Sequence, residues 1–274
     1  MSSLRETLLQ AQAQLASSHT ARADAELLLA HVLGLTRAQL FTRAAEPVCA
    51  RDAEAYADLI RRRARGEPVA YLCGEKGFWT LTLKVDGSVL VPRPETELLV
   101  EWALQCAPPQ ARIADLGTGS GAIALALAAE RPDAQVTAVD LSGDALRVAR
   151  GNAQSLGLTR VDFRDGSWLE PLAGEAYDLV VSNPPYIAMG DPHLADLRYE
   201  PLMALTDGHD GLNALREIVR EAPAALVPGG WLLLEHGYDQ AAAVRALLAD
   251  AGFQAIESRR DLGGHERCSG GRRP

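Results

Sequence analysis

Residues 111–140 read ARIADLGTGSGAIALALAAERPDAQVTAVD, and this segment decides the fold class of the chain. An apolar run leads into the glycine-rich segment DLGTGSGA, an alanine- and leucine-rich stretch follows, and a second apolar run ends at Asp140. This order predicts a strand, a tight turn, a helix and a second strand, which is the unit of a parallel sheet covered by helices. The glycines remove side chains where the backbone turns, so main-chain N–H groups at the helix N-terminus stay open to a ligand.

The glycine segment favours a nucleoside ligand over a dinucleotide or a nucleoside triphosphate. Gly117, Gly119 and Gly121 are spaced G-x-G-x-G rather than G-x-G-x-x-G, and no lysine follows them as it does in a P-loop. Asp140 ends the next strand, where its carboxylate can accept both ribose hydroxyls or cap the helix that begins near Ser142. S-adenosylmethionine fits these requirements, and S-adenosylhomocysteine would then be the product.

Three regions follow from the patterns on either side of this segment. Residues 1–66 have helical periodicity, which predicts a small N-terminal helical domain. Residues 67–94 include FWTLTLKVDGSVLVPRP, where apolar and polar residues alternate around Asp86-Gly87, and we expect a linking β-hairpin that turns there. Helical and strand-like runs alternate through residues 95–274 as far as a late strand, FQAIESRRD. We therefore expect an α/β protein with a doubly wound, Rossmann-like parallel sheet.

Composition and charge exclude several classes of function. The chain has 274 residues, of which 47% are hydrophobic, and a net charge of −9, so it has no basic excess for binding a phosphate backbone. Its four cysteines are scattered and its histidines lack metal-site spacing, so we expect neither a disulfide framework nor a metal. No leader or membrane span is evident, and we expect a cytoplasmic monomer without direct nucleic-acid binding.

A second informative segment is YDLVVSNPPYI at residues 177–187. Its strand should neighbour the first strand of the sheet, so Asn183 is expected to overhang the same crevice as the glycine segment. Pro184 and Pro185 fix φ at about −65° and remove two N–H donors, which leaves the Asn183 side-chain oxygen and the Pro184 carbonyl as acceptors. A planar amide or an aminopurine can donate both NH₂ hydrogens to them, with Tyr186 stacked on its face.

This geometry is compatible with two classes of acceptor, an amide or the exocyclic amine of adenine or cytosine. Positioning alone can lower such a barrier, by about 7–11 kcal/mol in well-oriented model systems. An enzyme acting on nucleic acid would have to flip its base into the pocket, and the acidic charge disfavours that alternative. A non-catalytic binding protein would not need the acceptors, and a nicotinamide dehydrogenase would need a different glycine spacing.

Several segments in order along the chain, from about residue 67 onward, resemble one family. They are YLCGEKGFW, VLVPRPETE, DLGTGSGAIALALA, VSNPPYI, LRYEP with DGHDGL, and PGGWLLLEHGYDQ. Together they are similar to the bacterial release-factor glutamine methyltransferases, the HemK/PrmC family. The resemblance implies a class I S-adenosylmethionine-dependent methyltransferase sheet in residues 95–274 and a substrate-binding role for the helical domain. It also implies methyl transfer to the glutamine side-chain nitrogen (N5) in the Gly-Gly-Gln motif of class 1 peptide chain release factors, and hence a role in translation termination.

The resemblance also implies roles for individual residues. The implied cofactor contacts are Gly117, Thr118, Gly119, Ser120, Gly121, Asp140, Trp168 and Asn183. The implied substrate contacts are Asn183, Pro184, Pro185 and Tyr186, and the catalytic set among them is Asn183, Pro184 and Tyr186. Family members often carry an acidic residue just before the tryptophan, where this chain has Ser167.

Other polar residues lie near these motifs without a single predicted role. Asp115 can orient the amides of the glycine segment or meet the ammonium group of the cofactor. Arg93 and Glu95 can help close the cofactor site or form a structural ion pair. The sequence assigns no chemical role to Glu200 or to the pair Glu235-His236.

Overall fold

The computed structural model describes residues 2–274, and the chain divides into two compact units. The first unit ends at Glu75 and the second runs from Lys76 to Pro274. We expected helical structure only up to residue 66, but a further short helix continues to Cys73. Pro68 is the N-cap of that helix, where its fixed φ is compatible with a helix start.

The first unit is helical. Its helices are α1 (Leu4–Gln14), α2 (Ala21–Leu33), α3 (Arg37–Thr42), α4 (Ala50–Ala64) and α5 (Val69–Cys73). Ser3 with Glu6, and Thr36 with Gln39, form capping boxes at the starts of α1 and α3, and Gly34 ends α2 in the left-handed conformation. The helices bury a shared apolar core that includes Leu8, Leu15, Leu28, Leu29, Leu40, Tyr56 and Ile60.

The hairpin consists of β1 (Glu75–Phe78) and β2 (Leu81–Lys84), with its turn at Trp79-Thr80. The predicted turn at Asp86-Gly87 is therefore wrong. The Asp86 carboxylate accepts the N–H and the hydroxyl of Ser88, which closes a local turn after β2. The segment that follows contains Pro92 and Pro94, which cannot donate to a strand ladder, and it forms no third strand.

The second unit contains a mixed sheet with helices on both faces. Its remaining elements are α6 (Glu97–Cys106), β3 (Arg112–Leu116), α7 (Ala122–Glu130), β4 (Gln135–Asp140), α8 (Gly143–Ser155), β5 (Asp162–Asp165), β6 (Tyr177–Ser182), α9 (Asn213–Ala225), β7 (Leu226–Glu235), α10 (Ala241–Asp250), β8 (Gln254–Arg260) and β9 (Glu266–Arg272). Within residues 2–274 the sheet has seven strands in the order β5-β4-β3-β6-β7-β9-β8. The strands from β3 to β7 pair in parallel, as the apolar runs predict.

The sheet departs from the expectation at β9, which pairs antiparallel with both β7 and β8. Its sequence, ERCSGGR, has no apolar run that would indicate a strand. A Cβ on Gly270 would lie 2.5 Å from a methyl group of Leu233 and 2.9 Å from the Trp102 ring, so close packing requires a glycine there. The seven-stranded sheet that includes β9 is nevertheless of the expected class I methyltransferase type.

The two faces of the sheet carry separate apolar cores. In β3, Ile113 packs with α6 and α7 on one face, whereas Leu116 packs with the α9 and α10 side on the other. Residues 122–128 of α7 are all buried, which explains why this helix is apolar all round. The order of strands along the chain reverses between β3 and β6, and the carboxyl ends of these strands define the crevice where ligands bind in such sheets.

Candidate active site

The two predicted motifs begin side by side at the carboxyl ends of β3 and β6. Leu116 and Ser182 are register partners in the parallel ladder, so the glycine segment and the NPPY segment both leave the sheet at this point. The Ser182 hydroxyl donates a hydrogen bond to the Leu116 carbonyl at 2.7 Å, and both residues are fully buried. The structure therefore brings the two segments to one edge of the sheet.

Main-chain hydrogen bonds shape the glycine segment. Gly117 and Thr118 donate their N–H groups to the Val139 carbonyl at 2.8 and 2.9 Å, and Gly119 donates to Asp140 Oδ2 at 2.8 Å. Gly117 and Gly119 have φ of +72° and +56°, the left-handed region that favours glycine. The segment is thus anchored to the end of β4, and the expectation that its main-chain N–H groups stay open to a ligand is wrong for Gly117, Thr118 and Gly119.

Asp115 supports the glycine segment through buried hydrogen bonds and does not line the crevice. Its fully buried carboxylate accepts the Thr118 hydroxyl at 2.6 Å and the Ala124 N–H at 3.1 Å through Oδ2. Its Oδ1 has no hydrogen-bond partner within residues 2–274. Burial raises the pKa of Asp115 to about 7, since no cation compensates for the lost solvation. These contacts favour the loop-orienting role over contact with a ligand's ammonium group.

A cavity of about 350 Å³ opens between the two segments. The predicted site residues that line it are Gly117, Gly119, Asp140, Trp168, Asn183 and Pro185. Those that do not line it are Thr118, Ser120, Gly121, Pro184 and Tyr186. Of the second group, Thr118 and Ser120 are buried, and a Cβ on Gly121 would lie 3.0 Å from Leu125.

Asp140 points one carboxylate oxygen at each of two backbone N–H groups. Oδ1 accepts from Ser142 and Oδ2 accepts from Gly119, both at 2.8 Å. Burial raises its pKa, although both hydrogen bonds act in the opposite direction. The alternative prediction, that Asp140 caps α8, is wrong. Ser142 is the N-cap, and its hydroxyl oxygen accepts the Ala145 N–H at 3.2 Å. Each oxygen keeps a further lone pair, so ribose binding stays a prediction.

Trp168 packs across the glycine segment. A Cβ added to Gly117 would lie 3.3 Å from its ring, so the absence of a side chain at position 117 lets the indole approach the backbone. Trp168 itself has φ of +43°, a conformation that is uncommon outside glycine. Ser167 also lines the cavity.

Sequence reasoning missed a further part of the cavity wall. The missed lining residues include Ser88, Val89, Leu141, Met203, Asn213 and Glu217. Leu141 is 60% exposed and follows directly after Asp140. Its position just beyond a strand's carboxyl end was a usable signal, because an apolar side chain there faces the crevice. Met203 lies in a 3₁₀ turn, Leu202–Ala204, that no sequence periodicity indicates.

The NPPY segment is held by side chains. Asn183 Nδ2 donates to Thr96 Oγ1 at 3.2 Å, which leaves Oδ1 on the opposite side of the amide. The Tyr186 hydroxyl donates to Glu235 Oε1 at 3.4 Å, and the Tyr186 carbonyl accepts from Gln240 at 3.1 Å. Burial raises the pKa of the Tyr186 phenol, so it stays protonated at neutral pH.

Arg93 forms an ion pair, but its partner is Glu200 rather than Glu95. Glu200 is buried and also accepts the Val91 N–H at 3.0 Å. None of these side chains lines the cavity. The pair therefore ties the segment before α6 to the segment after the NPPY motif.

Comparison with known proteins bears directly on this arrangement. Residues 6–74 match the family described as PrmC N-terminal domain, and residues 94–196 match the methyltransferase small domain. The release factor glutamine methyltransferase of Xylella fastidiosa (strain Temecula1) is 55% identical over 94% of this chain and 96% of its own length. That of Coxiella burnetii is 46% identical over the full length of both chains. The chain belongs to the release factor glutamine methyltransferase family.

Solved structures agree with the methyltransferase fold of this family member. A methyltransferase from Pyrococcus furiosus matches with a TM-score of 0.56 at 16% identity, covering 79% of this chain and 98% of its own. The T. thermophilus 16S rRNA N2 G1207 methyltransferase, solved with AdoMet and guanosine, matches with a TM-score of 0.53 at 20% identity, covering 73% of this chain and 50% of its own. Within the described part of the chain, no helix is long and apolar enough to cross a bilayer, and no acidic, histidine and cysteine cluster could hold a metal.

Proposed function

We propose that this protein transfers a methyl group from S-adenosylmethionine to the side-chain amide nitrogen (N5) of the glutamine in the Gly-Gly-Gln motif of class 1 peptide chain release factors. The observation that carries the proposal is the position of Asn183. Its amide is anchored by Thr96, and it lines the same cavity as Gly117 and Gly119 of the glycine segment. The names of the relatives supply the acceptor protein, and the geometry suits its amide.

The residues around the cavity fit the cofactor. The backbone at Gly117 and Gly119 is exposed to the cavity without side chains, and Asp140 offers carboxylate oxygens to vicinal hydroxyls. Leu141 and Trp168 provide apolar surfaces for a planar base. When bound, the cofactor supplies a sulfonium methyl group as the electrophile.

The NPPY segment supplies what the acceptor amide needs. A glutamine amide is planar and weakly nucleophilic, so its nitrogen has to be held with the reacting lone pair toward the methyl group. Asn183 Oδ1 and the Pro184 carbonyl are proposed to accept the two N–H groups. Pro184 and Pro185 restrict the backbone that carries these acceptors, and Tyr186, fixed at its hydroxyl by Glu235, is proposed to flank the amide.

The surface near the cavity suits a protein partner better than a nucleic acid. Leu141, Met189, Leu202 and Met203 are apolar side chains that are each more than half exposed. Apolar groups of this kind gain from burial in a protein interface but not from contact with phosphates. The net charge of −9 also disfavours binding to the phosphates of a nucleic acid. Methylation of adenine or cytosine in nucleic acid is therefore not favoured.

We assign substrate binding to the helical unit that ends at Glu75, since most of it matches the PrmC N-terminal domain. A release factor as substrate implies action in translation termination, and therefore in the cytoplasm. We expect the enzyme to act as a monomer.

Mass mapping of the methylated product tests the proposal. The purified protein is incubated with methyl-labelled S-adenosylmethionine and a class 1 release factor, and the product is digested and sequenced. We expect one added methyl on the glutamine of the Gly-Gly-Gln motif and none in a factor whose glutamine is replaced by alanine. Label in added DNA or RNA, with the release factor unmodified, would overturn the assignment.

A further inference from the structure

Three segments of the second unit meet at the side chain of Gln240. This residue lies at the start of α10 and is half-buried. Its Nε2 donates to the Tyr186 carbonyl at 3.1 Å and to the Gly211 carbonyl at 3.2 Å, and its Oε1 accepts the Gly237 N–H at 2.8 Å. Gln240 therefore joins the NPPY segment to the DGHDGL segment and to the turn that follows β7.

The partners of Gln240 fix the orientation of its amide. A main-chain N–H group can only donate, and a carbonyl oxygen can only accept. Oε1 therefore has to face Gly237, and Nε2 has to face the carbonyls of Tyr186 and Gly211. A glutamine supplies both functions, whereas a glutamate would place a second acceptor against two acceptors.

Stabilisation of α10 does not explain this arrangement. Gln240 is the N-cap residue of α10, but its side chain accepts no N–H group of that helix. The residues that stabilise a helix from this position are Ser, Thr, Asp and Asn, which accept from an N–H group two or three positions later. The side chain of Gln240 is instead used for contacts outside α10.

The contact with Tyr186 lies where the rigidity of the NPPY segment ends. The two prolines fix φ through their rings, but Tyr186 has no such restraint. The peptide group after Tyr186 is held from outside, because its carbonyl accepts from Gln240 and its N–H, that of Ile187, donates to the Leu205 carbonyl at 2.9 Å. Gly211 packs so closely against the same carbonyl that a Cβ there would overlap the oxygen.

We propose that Gln240 is a positioning residue for methyl transfer, because its amide holds the Tyr186 carbonyl and thereby fixes the tyrosine ring beside the acceptor amide. The inference rests on the proposed function for its substrate, and it deepens that function. The main-chain dihedral angles of Tyr186 set the direction in which its side chain leaves the backbone, so a displaced carbonyl moves the ring. Glu235 accepts the hydroxyl of the same residue, so Tyr186 is held at both ends.

Gln240→Glu tests this role, since it keeps the shape of the side chain and replaces the Nε2 donor with an acceptor. We expect kcat to fall about 10-fold to 100-fold, as for a reacting group misplaced by about 1 Å. The cofactor Kd should stay at the wild-type value, because Gln240 does not line the cavity. Referring kcat to the fraction of protein that binds cofactor in calorimetric titration excludes unfolded protein from the comparison.

Two further substitutions complete this test. Gln240→Met removes the hydrogen bonds without adding a charge, so its kcat should also fall, and it replaces Gln240→Glu if that variant does not fold. Gln154→Glu, at an exposed site on α8, is the matched control and should keep the wild-type kcat. Wild-type kcat in the folded Gln240 variants would overturn the proposal.

A glycine pair displaces the same carbonyl without changing Gln240. Gly211→Ala should lower kcat, because the added Cβ would overlap the Tyr186 oxygen. Gly208→Ala is the matched control, since φ is positive at both positions, +77° and +79°, but no atom lies within 4 Å of a Cβ at Gly208. Equal losses of kcat in the two variants would contradict a role for the position of the carbonyl.

A double variant separates positioning from general loss of structure. Gln240→Glu/Tyr186→Leu should lose no more kcat than the more affected single variant, because Gln240 acts through the tyrosine ring. Fully additive losses would show that Gln240 acts independently of Tyr186 and would overturn the proposal.

Hydrogen exchange keeps the inference testable whatever the substrate is. The Ile187 N–H belongs to the same peptide group as the Tyr186 carbonyl, so it should exchange with solvent faster in Gln240→Met and at the wild-type rate in Gln154→Glu. An unchanged rate in Gln240→Met would overturn the positioning role alone. A wild-type enzyme that leaves the release factor unmethylated would overturn the proposed function alone.

Discussion

The glycine segment and the NPPY segment leave adjacent strands at one sheet edge, but they are built in different ways. The glycine segment is held mainly through its own backbone N–H groups, which donate to Val139 and Asp140. The NPPY segment is held through side chains, by the contacts of Asn183 with Thr96 and of Tyr186 with Glu235. The N–H groups of the glycine segment are thus used within the protein, whereas the NPPY segment is fixed by the identity of particular side chains and their partners.

The glycine segment is the cofactor half of the proposed site and the NPPY segment is the acceptor half. The two halves also share a feature. Each rests on a fully buried carboxyl with one oxygen that has no hydrogen-bond partner among the described residues, Oδ1 of Asp115 in one case and Oε2 of Glu235 in the other. Burial raises the pKa of both groups to about 7.

Asn183→Ala should have the largest effect. Loss of the side-chain acceptor should lower the methyl-transfer rate by about 10²–10³-fold, the usual result of removing one oriented polar group from an active site. The cofactor Kd should rise far less, because Asn183 is one of many lining residues. Single-turnover rates and calorimetric titration with cofactor measure the two effects. Equal losses in both would show that Asn183 belongs to the cofactor half only.

Gly117→Ala should affect the other half. A side chain at this positive φ is strained by about 1–2 kcal/mol, and its Cβ would press on Trp168 at 3.3 Å. We expect the cofactor Kd to rise roughly tenfold, which corresponds to about 1.4 kcal/mol. Gly119→Ala is the matched control, since φ is also positive there but no atom lies within 4 Å of the added Cβ. An equal rise in both variants would exclude contact with Trp168 as the cause.

Tyr186→Phe should have a smaller effect on the acceptor half. The ring stays in place, and only the 3.4 Å hydrogen bond to Glu235 is lost. A bond of this kind contributes about 1 kcal/mol, so kcat should fall roughly fivefold. Steady-state kinetics with release factor measure it. Tyr186→Leu, which also removes the ring, should fall well below Tyr186→Phe if the ring flanks the amide.

The smallest effect concerns stability as a function of pH. The pKa of Asp115 is about 7 in the folded protein and ordinarily 3.8, so the carboxyl loses its proton at lower pH in the unfolded chain. Its stabilising contribution is complete below about pH 4 and is lost as the pH rises to about 7. Asp115→Asn should therefore gain Tm relative to wild type, by a few degrees more at pH 8 than at pH 5. A Tm difference independent of pH would contradict the raised pKa.

Glu235→Gln should behave in the same way, because its carboxyl also has a raised pKa. The charged and titratable groups that act on it are Tyr186, Arg267, Glu95 and Cys268. If calorimetry finds a larger gain in Tm at pH 8 than at pH 5 in both variants, both halves contain a buried carboxyl with a raised pKa. A pH-dependent gain in only one of them would limit it to that half.

Much of the sheet and both segments of the candidate site could be predicted from sequence. Strands β3 to β7 are long apolar runs, and parallel strands place their carboxyl ends at one edge, so the two segments could be brought together by topology. The antiparallel strand β9 could not be predicted, because packing against Leu233 and Trp102 requires glycine and removes the apolar signal. The hairpin turn was misplaced because Asp86 forms a local side-chain turn that resembles a hairpin signal.

The contacts behind the site could not be predicted at all. Thr96 and Asn183 are 87 positions apart, and Tyr186 and Glu235 are 49 apart, so no local pattern connects them. No sequence pattern indicates that Tyr186 lies outside the cavity lining. Such contacts depend on side-chain packing between elements, which periodicity does not describe.

The hydrogen bond from the Ser182 hydroxyl to the Leu116 carbonyl has a consequence for local unfolding. It joins two strands that are already paired in the centre of the sheet, directly below both segments. Amide protons of Leu116 and Ser182 should therefore exchange with solvent only through global unfolding of this unit. The cofactor half and the acceptor half would then be lost in one cooperative step on heating or in denaturant, with no partly unfolded form that keeps one and releases the other.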